Sequence, residues 1–214
     1  FWSEDGKTIY FQSTREGGVQ LWALPAEGGE PRKISAYEPG LGQVLAHGSR
    51  VLFTSSLYPD VPFDSAKQTE AARQHAEGPI KAIMADHLLY RHWNAYREDR
   101  YQHLLWLDLK TGKVTPLTQG QQDYPSTNLG GGAGFDINPK TGDVCVVSHA
   151  DPNDANATNS DLFLFDAKTG QSRNITESQK AYDGQPLFSP DGRLLAYGRQ
   201  TVPGYESDRK KLVI

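Results

Sequence analysis

The sequence is poor in sulfur, in long apolar runs and in charge of one sign. A single cysteine, Cys145, stands among 214 residues, so no internal disulfide can form and no cysteine cluster is available for zinc. Its setting, Val144-Cys145-Val146-Val147, reads as a buried strand with the thiol as a small core residue. Lys and Arg number 22 against 26 Asp and Glu, a net charge of −4. That balance gives no attraction for nucleic acid or an anionic membrane surface. The longest apolar runs are four residues (LLWL, VCVV, LFLF), against the roughly 20 that a membrane helix needs. The beginning carries neither Met nor a signal-peptide pattern, and Lys210 to Ile214 stop inside a strand-like run. The sequence is therefore expected to be a piece of a longer chain.

Glycine and aromatics are plentiful instead, with 21 Gly, 13 Pro, 10 Tyr and 8 Phe. Two segment types alternate. The first is a tight turn with Asp-Gly or an equivalent, followed by an apolar strand: FWSEDGKTIYF (1–11), AHGSRVLFT (46–54), GFDINPKTGDVCVV (134–147) and LFSPDGRLLAY (187–197). The second is a strand, a turn ending in Gly, and a strand closing on an aliphatic residue and Ser or Thr: QLWALPAEGGEPRKIS (20–35), HLLWLDLKTGKVTPLT (103–118) and DLFLFDAKTGQSRNIT (161–176). Glycine supplies the positive φ of such turns, and alternation within QLWAL and DLFLF marks half-buried strands.

Two hairpins in succession make a four-stranded antiparallel sheet, the blade of a β-propeller. The expected fold is all-β: a partial propeller of about three and a half four-stranded blades, with one short helix in an insertion. The units fall at about 1–35, 36–118 with the insertion at 57–100, 119–176, and a truncated 177–214. A single β-sandwich would not repeat Ser-Pro-Asp-Gly and Lys-Thr-Gly at blade spacing. Strands are expected at Thr8–Phe11, Gln20–Leu24, Val51–Thr54, Leu104–Leu109, Val144–Val147, Leu162–Asp166 and Leu194–Tyr197. The helix is expected from Ala66 to Glu77, with Ser65 as N-cap and Gln68 completing a capping box. The insertion then runs dense in Arg, His and aromatics. It has two readings, a binding loop on a rigid scaffold or a cover for an edge strand.

The order Leu89-Tyr90-Arg91-His92-Trp93, Asp99-Arg100-Tyr101-Gln102-His103-Leu104, Asp108-Leu109, Thr111-Gly112 and Leu117-Thr118 resembles the propeller of prolyl-oligopeptidase-family serine peptidases. It is most similar to the dipeptidyl-peptidase V and acylaminoacyl-peptidase branch. Thr158-Asn159-Ser160-Asp161-Leu162-Phe163, Phe188-Ser189-Pro190-Asp191-Gly192 and Tyr205-Glu206-Ser207-Asp208-Arg209 match that branch too. The Ser-Pro-Asp-Gly repeats alone are unspecific, since TolB-like propellers share them. The resemblance implies a noncatalytic propeller over a C-terminal α/β-hydrolase domain of the same parent chain, gating small peptides in a periplasmic or secreted exopeptidase. A cytoplasmic setting and a stand-alone TolB-like propeller that binds protein partners are the alternatives. In such enzymes the nucleophilic Ser sits in a Gly-x-Ser-x-Gly elbow. None occurs here, so no catalytic residue is assigned.

A dipeptidyl peptidase holds a free substrate α-amine, for which a carboxylate is the natural partner. Glu98, Asp99 and Glu206 are the candidate acids, against the plainer reading of solvated loop acids or partners of Arg91, Arg97 and Arg100. Arg91 and Trp93 are the other candidates, for substrate carbonyls or for locking the insertion. The acidic loop from Asp151 to Asp161 lacks the EF-hand order, and Gly130 to Gly134 are followed by no helix start or Gly-Lys-Ser/Thr. The six histidines show no paired metal spacing. Neither a metal nor a cofactor is expected. Asn156-Ala157-Thr158 and Asn174-Ile175-Thr176 fit the glycosylation sequon. Phe1, Trp2, Leu194 and Tyr197 are expected on bare apolar faces of the terminal blades. Self-association through these ends, or closure within a longer chain, follows from that.

Overall fold

Repeated turns set the strand pairs. In Asp108-Leu109-Lys110-Thr111-Gly112 the Asp108 carboxylate accepts from the N–H groups of Lys110 (3.0 Å) and Thr111 (2.8 Å) and from the Thr111 hydroxyl (2.9 Å). Gly112 closes the turn at φ 71° and donates its N–H to the Asp108 carbonyl. Asp166 to Gly170 repeat this bond for bond. Asn138 to Gly142 repeat the backbone bonds with an amide oxygen in place of the carboxylate, while the Thr141 hydroxyl donates instead to Asp143. A second turn type, Ser-x-Asp-Gly, recurs at Ser3 and Ser189, whose hydroxyls donate to Asp5 and Asp191.

The computed structural model describes residues 1–79, 82–85, 88, 90–92, 94–96, 99–126, 134–149 and 157–214. Four antiparallel sheets follow one another along the chain. The first holds β1 (Thr8–Ser13), β2 (Gln20–Pro25) and β3 (Arg32–Lys33). The second holds β4 (Val44–His47), β5 (Arg50–Leu57), β8 (Tyr101–Asp108) and β9 (Val114–Pro116). Between β5 and β8 lie the helix α1 (Ser65–Glu77) and a ribbon of β6 (Arg91–His92) and β7 (Ala95–Tyr96). The third sheet holds β10 (Phe135–Ile137), β11 (Val144–Ser148), β12 (Asp161–Phe165) and β13 (Ser172–Asn174). The fourth holds β14 (Asp183–Phe188), β15 (Leu195–Arg199) and β16 (Lys211–Val213). Apart from the step from β5 to β8 across the insertion, neighbours in each sheet are neighbours in sequence order, which a single sandwich would not give.

The chain divides into two compact units, Phe1–Ile80 with His103–Gln119, and Lys81–Gln102 with Gly120–Ile214. In the first, Leu21, Val51, Phe53, Leu57, Leu105 and Leu107 are buried together with Tyr37 and Leu41. In the second, Cys145, Val147 and Leu162 form the buried centre, covered by Leu164, Ile175, Phe188, Leu195 and Tyr197. Full burial of each such aliphatic contributes about 1.5–3 kcal/mol.

A polar clasp fastens three of the sheets at one position. The N–H of Leu21 donates to Ser35 Oγ (2.9 Å), that of Leu104 to Thr118 Oγ1 (3.0 Å), and that of Leu162 to Thr176 Oγ1 (3.0 Å). The aliphatic residue before each hydroxyl, Ile34, Leu117 or Ile175, donates its own N–H to the same leucine's carbonyl at 2.8 Å. The residue before each leucine meets the hydroxyl as well. Ser35 donates to Gln20 Oε1 (2.6 Å), Thr176 donates to Asp161 Oδ1 (3.0 Å), and His103 Nδ1 lies 3.2 Å from Thr118 Oγ1. Buried backbone groups must find partners, and this aliphatic–Ser/Thr ending supplies both.

Three expectations need correction. The helix is capped by Asp64, extended at φ −155°, which accepts from the Lys67 N–H at 2.9 Å. Aspartate one residue upstream already has the N-cap-to-N3 spacing, so Ser65 is helical and accepts instead from the Glu38 N–H. Gln68, released from a capping box, is buried and ties Tyr58 N–H (2.8 Å), Tyr58 O (3.0 Å) and Val61 O (3.0 Å). The first sheet has three strands rather than four, and the fourth, expected to be truncated, has three. Before β1, Phe1 to Ser3 lie antiparallel to it, Phe1 and Tyr10 exchanging both backbone bonds and the Ser3 N–H donating to the Thr8 carbonyl, but the pairing is too short to count as more than an isolated bridge of Trp2 to Ile9. Of the four side chains expected bare, Trp2 and Leu194 are well exposed and Phe1 partly so, its ring stacked on Tyr10. Tyr197 instead packs on the Cys145 cluster, since its side of β15 faces the third sheet.

Candidate functional site

Arg91 pairs with Tyr96 across the β6–β7 ribbon and is exposed. The Tyr90 and Tyr96 rings stack beside it, centroids 6.3 Å apart. Asp99 follows the ribbon in left-handed backbone (φ 56°), exposed. No ion pair joins Arg91 to Asp99 among the described residues. Trp93 and Glu98 lie outside the described residues, as do most of the acidic loop and Gly130, Gly131 and Gly132.

Glu206 sits on a loop that is built rather than loose. Buried Gln200 donates from Nε2 to the carbonyls of Glu206 (2.9 Å) and Asp208 (2.6 Å), while its N–H reaches the Tyr182 carbonyl. The Asp208 carboxylate accepts from the N–H groups of Thr201 (2.7 Å) and Val202 (3.0 Å), which holds it below the usual carboxylate range. Gly204 is tied to Thr158 Oγ1 at 2.9 Å. Val202, Tyr205 and Glu206 are left facing outward on this frame. No bond among the described residues links Glu206 to Arg91 or Asp99, so the three candidates are placed in one unit without being brought into contact.

Beneath the loop lies a charged cluster that sequence reasoning missed. Asp183 is fully buried and accepts from Arg199 Nε (2.7 Å) and Nη2 (3.3 Å). Asp161, also buried, is held by Thr176 and by Asn174 Nδ2 at 2.9 Å. Burial raises the Asp183 carboxyl above its ordinary 3.8, and this outweighs the opposing pull of Arg199, with Asp161 adding repulsion. The signal available in the sequence was positional: Asp161 precedes the clasp leucine where Gln20 and His103 stand in the other units. Asn174 of the second sequon has its amide committed to Asp161.

Two groups among the described residues that could act as nucleophiles are both sealed. The Thr118 hydroxyl, 3.2 Å from His103 Nδ1, is buried and already accepts the Leu104 N–H. Cys145 is buried, and desolvation with Asp136 nearby pushes its thiol up to about 12, away from thiolate reactivity. No cluster of three metal-ligating side chains occurs among the described residues.

No family model matches the chain. Dipeptidyl-peptidase 5 from Porphyromonas gingivalis is 31% identical over 221 residues, covering 100% of this chain and 31% of its own length. An acylaminoacyl peptidase structure from Pyrococcus horikoshii superposes with a TM-score of 0.63 at 14% identity, over 99% of this chain and 29% of that one. TolB from Acinetobacter baumannii gives 0.53 at 15% identity, over 99% of this chain and 38% of that one. The chain spans 31% of the length of the curated relatives it matches first. Over its full length, the chain is thus similar to one segment of the dipeptidyl-peptidase 5 proteins.

Proposed function

We propose that this chain is a noncatalytic β-propeller segment of a dipeptidyl-peptidase-like serine exopeptidase. It gates small peptides on their way to an α/β-hydrolase domain of the same parent chain and helps to shape the substrate site. The observation that carries this reading is the full-length match to 31% of dipeptidyl-peptidase 5, together with the lack of any Gly-x-Ser-x-Gly in the 214 residues. In this reading the sheets are blades of units at about 1–35, 36–118, 119–176 and 177–214, and the compartment is periplasmic or secreted. Glu206, on its fixed loop, is the foremost partner for a substrate ammonium, with Asp99 and Glu98 behind it. Arg91 and Trp93 contact the peptide or fix the insertion. The TolB likeness supports a second reading, a stand-alone propeller that binds protein partners.

Kinetics on the parent protein test the first reading. The 214-residue chain alone releases no chromophore from dipeptidyl chromogenic substrates, while the parent does. Glu206→Gln in the parent raises KM about tenfold or more for free-amine dipeptides, the worth of one charge-assisted bond. It leaves N-blocked substrates unchanged. Turnover by the isolated chain that a fluorophosphonate abolishes would overturn the noncatalytic reading. Equal effects on both substrate types would remove Glu206 from the site.

A further inference from the structure

Val202-Pro203-Gly204-Tyr205 is a tight turn. Pro and Gly hold its two central positions, Gly204 takes φ 74°, and the Tyr205 N–H donates to the Val202 carbonyl at 3.3 Å. A second turn starts where the first ends, with the Asp208 N–H donating to the Tyr205 carbonyl at 3.0 Å. As first and last residues of one turn, Val202 and Tyr205 stand within about 7 Å of each other at Cα, and Glu206 follows directly. Val202 is 47% and Tyr205 54% exposed, and Glu206 is exposed beside them. The two acids of the loop differ. Both Asp208 oxygens are committed, Oδ2 to Thr201 and Val202 and Oδ1 to the Arg209 N–H at 2.8 Å. No ion pair among the described residues engages Glu206.

We propose that Val202 and Tyr205 form an apolar shelf for the side chain of the substrate's N-terminal residue, and that the parent enzyme therefore selects peptides beginning with leucine or phenylalanine over those beginning with glycine. The proposal rests on the peptidase reading, with this loop at the substrate's amino end. The α-nitrogen and the β-carbon of a residue share one α-carbon, so an ammonium held on Glu206 carries its side chain to the neighbouring Tyr205 and Val202. Glycine has no side chain to place there, and an acidic one is repelled by Glu206. The shelf is fixed before substrate arrives. Buried Gln200 holds the carbonyls of Glu206 and Asp208, and Thr158 Oγ1 holds the Gly204 N–H, so little ordering cost is left to offset the apolar contact.

The test is kcat/KM of the parent protein on free-amine dipeptidyl chromogenic substrates that share alanine in second place and begin with glycine, leucine or phenylalanine. The wild type favours leucine and phenylalanine over glycine about tenfold or more, the range of a single apolar pocket contact. Tyr205→Ala brings that ratio to within about twofold of one, chiefly through KM, while Tyr205→Phe keeps it. Glu206→Gln weakens all three substrates alike, so the ratio survives it. A wild type without the preference, or a Tyr205→Ala variant that retains it, overturns the shelf even where Glu206→Gln still separates free-amine from N-blocked substrates. Equal losses on all three substrates in Tyr205→Ala overturn it too, and assign these side chains to a contact with the hydrolase domain. Loss of the preference in Tyr205→Ala with no effect of Glu206→Gln upholds the shelf and removes Glu206 as the amine partner.

Discussion

Replacing Thr176 by Val takes one oxygen from a site where two buried groups depend on it. The Leu162 N–H loses its acceptor and Asp161 loses a donor, both under the cover of Ile175 and the Cys145 cluster. Thr176→Val therefore destabilises by about 1–3 kcal/mol, while Thr176→Ser, which keeps the hydroxyl, stays nearer the parent chain. Urea unfolding measures both; a neutral valine variant would sink the clasp as a stabilising device. Asp183 gives a pH signature of the opposite hand from most acids. Its carboxyl is raised above 3.8 by burial, so between 3.8 and the raised value the folded chain holds the extra proton. The stability it contributes is complete below 3.8 and is lost as pH rises through the folded value. Stability of the wild type relative to Asp183→Asn should thus fall with rising pH across that window. Asp5, Asp166 and Asp191, all lowered by their turn bonds, pull the other way in both proteins and cancel in the difference. A difference that is flat or rises with pH would contradict the assignment.

At the scale of elements, the turns and central strands were legible because each is encoded locally. Asp-x-Lys-Thr-Gly carries its own hydrogen bonds, and β2, β8, β11 and β12 bear the apolar residues that fill the cores. The edge strands were read only as the closing halves of their hairpins, without bounds of their own. β3 is Arg32-Lys33 and β13 is Ser172-Arg173-Asn174, polar residues that leave no apolar periodicity to read. The cluster of Asp161, Asp183 and Arg199 was illegible for a related reason: two acids and a base far apart in sequence look like loop charges until the sheets bring them together. The helix was found but its cap was misplaced by one residue, since Asp64 and Ser65 are both competent caps. That ambiguity has a measurable resolution. Asp64→Ala costs about 1 kcal/mol of helix stability, whereas Ser65→Ala costs a few tenths at most. Gln68→Ala removes the side-chain bonds to the Tyr58 N–H and to the Tyr58 and Val61 carbonyls, of which the Tyr58 carbonyl keeps the Val61 N–H, so exchange at the Tyr58 amide accelerates most in that variant. Equal losses for Asp64→Ala and Ser65→Ala would restore the capping box.

For the molecule as a whole, no Gly-x-Ser-x-Gly stands in the sequence. What it offers is a scaffold of repeated sheets, an insertion, and a fixed loop that exposes Val202, Tyr205 and Glu206. The single cysteine, sealed in the core of the second unit, turns this scaffold into its own stopwatch. A thiol reagent in excess reaches Cys145 only when that unit opens, so the rate of labelling counts opening events without any added fluorophore or tag. Thr176→Val, which weakens the same unit by about 1–3 kcal/mol, should quicken labelling roughly 5- to 150-fold where closing outpaces the reagent.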